Sequence, residues 1–153
     1  MWKPYVFFIG LAEFIGLLSG LVTKNNLNIY QTLKKPPLSP PGALFPIVWS
    51  ILYALMGIGA ARVWLEAPSP ERSRSLRIFI TQLIANFLWS LIFFNLQAYG
   101  FAFLWLVFLW ILILLMISSF YQVNKEAALL QIPYLLWVTF AGYLNFMIWY
   151  LNR

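Results

Sequence analysis

Trp49 and Tyr53 stand four residues apart and share one face of any helix that carries them. Gln82, Asn86, Trp89 and Phe93 follow at i, i+4, i+7 and i+11, a single helical stripe that alternates amides with rings. Trp137, Ala141, Leu144 and Asn145 make a third stripe of aromatic, small and amide side chains. Flat aromatic walls with a few amide contacts suit one kind of chemistry, the non-covalent binding of a large, flat, mostly apolar ligand. Amides in membrane helices also serve as links between helices, and tryptophans as packing mass. What separates the two readings is whether the stripes converge.

Other chemistry is excluded by what is missing. The chain has no histidine and no cysteine, and only four carboxylates. Disulfides, thiolate nucleophiles, Cys or His metal sites and the usual axial haem ligands are therefore out of reach. No metal site and no resident cofactor is expected, and no hydrolytic constellation can be assembled. Glu13 is a separate case, a carboxylate inside an apolar run. Such a group is either functional or neutral and hydrogen-bonded to a neighbouring helix.

The elements that must position these residues follow from composition. Of 153 residues, 63% are hydrophobic and 9% charged, against about 25% charged in a soluble domain. The chain reads as an all-α, multi-pass integral membrane protein, one domain over 1–153, with five transmembrane helices at about 5–22, 45–65, 78–96, 98–121 and 129–151. Five antiparallel passes use nearly the whole chain, and 66–77 reads as an aqueous connection. The net charge of +6 comes from basic residues scattered between apolar runs, which form membrane anchors and no nucleic-acid surface. Lys3, Arg62, Arg72, Arg74, Arg77 and Lys125 fall on one side and Lys24, Lys34, Lys35 and Arg153 on the other, a bias towards an inside amino terminus. Trp2, Tyr5, Trp64, Tyr99, Tyr121, Tyr134, Trp149 and Tyr150 crowd the expected interfaces, mostly as belt residues.

Between the first two spans lies a lid loop, 24–44. Pro36, Pro37, Pro40 and Pro41 fix φ, remove backbone donors and bar their stretch from helix, so the loop is a stiff, extended cover leading straight into the Trp49 wall. The fourth span, nearly free of polar side chains, reads as scaffold facing lipid or another subunit. Ala12, Gly16 and Gly20, and again Gly57 and Ala61, recur every four residues, a spacing for close helix packing within or between subunits.

The string Lys35-Pro36-Pro37-Leu38-Ser39-Pro40-Pro41-Gly42, followed by Phe45-Pro46-Ile47-Val48-Trp49-Ser50-Ile51-Leu52-Tyr53 and Met56-Gly57, resembles the signature of the tryptophan-rich sensory protein or translocator protein family, TspO/MBR. Asn86-Phe87-Leu88-Trp89 with Ile92-Phe93-Phe94, and Pro133-Tyr134-Leu135-Leu136-Trp137 with Tyr143-Leu144-Asn145, extend the likeness over all five spans. The resemblance implies a five-helix bundle, often a homodimer, with a stress or tetrapyrrole-regulatory role. Its pocket under the first loop takes protoporphyrin IX and other tetrapyrroles, and in animal relatives cholesterol and benzodiazepine-type drugs. Carried over, that pocket falls on Tyr30, Trp49, Asn86, Trp89, Trp137 and Ala141; Pro40, Tyr53 and Phe93 join them from the lid and the stripes. The family's proposed light- and oxygen-dependent porphyrin degradation gives an alternative, in which Trp49 and Trp137 are the redox-active, catalytic side chains. A sterol motif is matched in letter by Leu144, Tyr150 and Arg153, with the tyrosine two positions later than usual. Trp105 stands where some relatives carry an acid.

Overall fold

The computed structural model describes residues 1–153 as seven helices and no strand. Five of them cross the bundle: α1 (Lys3–Thr23), α3 (Leu44–Trp64), α4 (Pro70–Ser90), α5 (Tyr99–Val123) and α7 (Ile132–Asn152). Each, alone or with the short turn that extends it, is long and apolar enough to span a membrane, as the composition required. Two short helices complete the set, α2 (Ile29–Thr32) in the lid and α6 (Lys125–Leu129) ahead of α7.

Helix starts follow their local chemistry. α4 begins at Pro70, eight residues before the expected span, because Ser69 caps it by accepting the Arg72 N–H at 3.0 Å, Pro70 takes the first position and Glu71 sits in the first turn. The expected 66–77 connection therefore shrinks to a few residues, and Glu71–Arg77 forms the first turns of α4. Asn124 caps α6 in the same way through Ala127 N–H at 2.9 Å. At its far end α4 loosens into a π-helical turn, Leu91–Asn95, and Gln97 turns the chain at φ 53° into α5.

The helices form an open ring. α1 packs on α3 and touches α4; α4 packs on α5, and α5 on α7. α3 and α7 approach mainly through side chains, with Phe45 against Trp137 at 5.8 Å and Trp49 against Tyr134 at 6.2 Å between ring centroids. The small residues work within the chain. A methyl on Gly57 would collide with the backbone of Ile9, one on Gly16 would meet the Tyr53 ring, and Ala12 and Ala61 are wholly buried. Gly20 is the exception, for nothing lies within 4 Å of where its methyl would be. α1 and α3 are thus a wedge, closed at Ile9–Gly57 and parted at Gly20.

The two ends differ. At the closed end Arg62 pairs with Glu126 at 2.5 Å, Arg74 donates to Gln122 at 2.7 Å, and Asn124 donates to Glu66 at 2.8 Å. The other end carries the lid and the hollow. The fourth span expected as scaffold is α5, which buries one face through Leu106, Leu109, Ile113 and Met116 and exposes Leu104, Phe108, Ile111 and Leu115 on the opposite one.

Candidate functional site

A cavity of about 670 Å³ lies inside the lidded half of the bundle, within the volume range of small-molecule sites. The three stripes converge on it. Trp49 and Tyr53 come from α3, Asn86, Trp89 and Phe93 from α4 and its π turn, and Trp137, Ala141, Leu144 and Asn145 from α7. Tyr30 closes it from α2. Pro40 does not line it; its carbonyl accepts the Tyr30 hydroxyl at 2.8 Å and so holds the roof.

The lid is fastened at several points, though it is less extended than its prolines imply. Lys24–Asn26 and Ile29–Thr32 are short helical turns, and only the segment after Thr32 is irregular. Its tight turn at Pro37–Leu38 carries Leu38 through φ 74°, a left-handed conformation unusual for a residue with a side chain. Lys35 Nζ donates to the Tyr30 carbonyl at 2.8 Å and stands 4.8 Å over the Tyr30 ring. The Tyr143 hydroxyl donates to the Pro37 carbonyl at 3.0 Å, and Asn152 at the end of α7 exchanges two hydrogen bonds with the Lys34 backbone at 2.9 and 3.1 Å. Across the cavity Asn26 donates to Asn95, and Asn95 to the Val22 carbonyl, which ties the lid's first turn to the π turn of α4. Burial pushes the Tyr30 hydroxyl above its usual range, so it stays a donor.

Rings and amides form the walls and floor. Tyr30 meets Phe45 edge-on at 5.1 Å, Phe45 meets Trp137, and Trp49 lies 5.6 Å from Tyr53. Trp89 lies 5.2 Å from Phe93 and donates its indole N–H to Asn145 at 3.0 Å, while Asn145 donates to the Tyr99 carbonyl at 2.9 Å. Under these sits a polar chain. Tyr53 donates to Asn86 Oδ1 at 2.9 Å, Asn86 Nδ2 to the Tyr134 hydroxyl at 2.8 Å, and Tyr134 to Gln82 Oε1 at 2.7 Å. Asn86, expected as a ligand contact, spends both ends of its amide on tyrosines. Tyr134, expected at an interface, is wholly buried. Its signal was the position, since Tyr134 belongs to the same helical face as Trp137 and Ala141.

One wall escaped the stripes. α1 contributes Glu13, Gly16, Leu17, Ser19, Gly20 and Thr23 to the cavity. Small residues read as packing left that side empty, and only Glu13 marked it as more than packing. Two lining residues carry buried polar atoms without a partner, Ser19 Oγ and the Trp137 indole N–H. Phe45, Ser50 and Ile148 also line it.

The sterol motif is scattered. Leu144 faces the cavity at 4% exposure, whereas Tyr150 is 48% exposed and lies under its own Arg153 guanidinium, 4.5 Å away. Trp105, expected in place of an acid, donates to the Ala85 carbonyl at 2.8 Å and locks α5 to α4. No set of three acidic, histidine or cysteine side chains is placed to hold a metal ion.

Residues 8–151 match the TspO/MBR family. The tryptophan-rich protein TspO of Chlorobaculum tepidum is 40% identical over 94% of this chain and 92% of its own. Protein CrtK of Rhodobacter capsulatus is 43% identical over 80% and 78%, and the translocator protein of Bos taurus 33% identical over 99% and 92%. With five membrane-spanning helices around a lidded, tryptophan-walled cavity, this chain belongs to the TspO/MBR family.

Proposed function

We propose that this protein is a membrane receptor or carrier for flat, largely apolar ring molecules, tetrapyrroles such as protoporphyrin IX first and sterol- or drug-like ligands second. The observation that carries the proposal is the roofed cavity, whose rings on α3, α4 and α7 offer stacking faces while the nearby amides Asn86 and Asn145 are engaged with tyrosine hydroxyls and an indole N–H. Such a lining rewards a ligand for its apolar area and ring planes, and for few hydrogen bonds. The name of one relative, translocator protein, agrees with the carrier reading.

The test is a titration of the purified protein with protoporphyrin IX, read by tryptophan quenching in darkness and then under illumination. Saturable binding in darkness with the porphyrin intact after illumination supports the receptor. Protein-dependent loss of porphyrin under light in oxygen supports degradation through Trp49 and Trp137 instead. Absence of saturable binding overturns both.

A further inference from the structure

The cavity wall holds one formally charged side chain, Glu13, and no lysine or arginine. Its carboxylate has one hydrogen-bond partner, the Ser50 hydroxyl, at the limiting distance of 3.5 Å. A carboxyl group at membrane depth ordinarily takes a cationic or well-bonded partner from the protein. Here the protein supplies none within reach.

Its place in the wedge explains how a partner could arrive. α1 and α3 are in contact at Ile9–Gly57 and at Gly16–Tyr53, and beyond that the walls part. Leu17 and Gly20 on one helix, and Pro46 and Ser50 on the other, are all exposed and all line the cavity. Glu13, one turn short of Gly16 on α1, thus reaches Ser50 on the parted side, at the inner edge of an opening on the exposed face of the bundle. The rings of Trp49 and Tyr53 lie on the same stretch of α3.

We infer that this opening admits amphipathic amines, with the aromatic body of the ligand among the tryptophans and its protonated nitrogen on the Glu13 carboxylate. The inference rests on the proposed ligand cavity and adds a charge preference to it. A charge-assisted hydrogen bond in an apolar setting fixes the nitrogen, and the adjacent ring faces favour a cation as well. Neutral ligands of the same shape gain only the stacking.

A matched pair of probes tests this, N,N-dimethyl-1-pyrenemethylamine and its neutral carbon isostere 1-isobutylpyrene, titrated into the full-length protein and followed by tryptophan quenching. The wild-type protein is expected to prefer the amine by about tenfold, the ratio that one charge-assisted contact supplies. Glu13→Gln is expected to bring the ratio of affinities close to one, and Glu13→Asp, which keeps a carboxylate there, to leave the amine preferred. An equal ratio in wild-type protein, or one that survives Glu13→Gln, overturns the inference while leaving the cavity reading intact. If neither probe binds, the cavity reading fails and takes this inference with it.

Discussion

Asn86 donates to Tyr134 at 2.8 Å and accepts from Tyr53 at 2.9 Å, so one amide joins α3, α4 and α7 beneath the cavity. All three side chains are at most 4% exposed. Removing the amide leaves the Tyr53 hydroxyl without a partner, and a buried orphan costs about 1–3 kcal/mol. Asn86→Leu should lower the unfolding temperature of the solubilised protein by several degrees. Adding Tyr53→Phe should restore part of the loss, because the orphaned hydroxyl leaves with it; a further drop would show that the link does not work as a pair.

Replacing Tyr30 with phenylalanine removes the hydroxyl that holds Pro40 and keeps the ring that meets Phe45. One hydrogen bond is worth about 0.5–1.5 kcal/mol, so Tyr30→Phe should speed ligand release several-fold in stopped-flow displacement. Gly in place of Pro36, Pro37, Pro40 and Pro41 should do more, by restoring chain freedom to the lid. An unchanged off-rate in both variants would remove the lid from the binding mechanism. The pH dependence has a definite sign. Burial raises the Tyr30 hydroxyl above its usual 10.0, so the contact is fully present below that value and is lost only as pH rises through the raised one. Release rates should be flat across neutral pH in the wild type.

The tryptophans separate binding from degradation. Stacking contributes about 0.5–1.5 kcal/mol beyond buried area, so Trp49→Ala and Trp137→Ala should each weaken porphyrin binding several-fold. Trp49→Phe and Trp137→Phe should bind nearly as the parent does, and under the degradative alternative they should lose light-driven porphyrin loss. Trp110→Phe is the control, since Trp110 donates to Thr139 at 2.8 Å and lies outside the cavity wall. If it impairs binding as much as the alanine variants, the ligand sits elsewhere.

Ala141 keeps the slot beside Trp137 open. At 8% exposure it has little free space except the cavity itself, so Ala141→Phe should fill ligand volume and abolish saturable porphyrin binding while the protein stays folded. Binding at parental affinity would place the ligand away from α7.

Much of this architecture was legible because two signals are local. Apolar length marks a span, and i, i+4, i+7 spacing marks a face, so the stripes through Trp49, Asn86 and Trp137 could be read and do line one cavity. Pro36 to Pro41 announced a lid, yet the helical turn holding Tyr30 was hidden because four residues carry no periodicity. The α4 start was readable in Ser69-Pro70-Glu71 and was masked by the arginines that follow. Which amides are free and which are held by tyrosine hydroxyls is a pairing across 33 to 52 positions of sequence, visible only once Tyr53, Asn86, Tyr134 and Gln82 are brought together. The α1 wall was hidden by its glycines, since one spacing serves both close contact at Gly16 and open space at Gly20.

The wedge between α1 and α3 should also make the molecule responsive to the bilayer around it. Its closed end is fixed by backbone contact at Ile9 and Gly57, so lateral pressure in the surrounding lipid acts on the open end alone, at Gly20 and Pro46. Tightly packed, ordered lipid should press the fork shut and lengthen the residence time of a bound ligand, and loosely packed, unsaturated lipid should shorten it. Off-rates from vesicles of graded acyl-chain unsaturation measure this directly. A cross-link across the fork should abolish the lipid dependence while leaving the lid contacts unchanged.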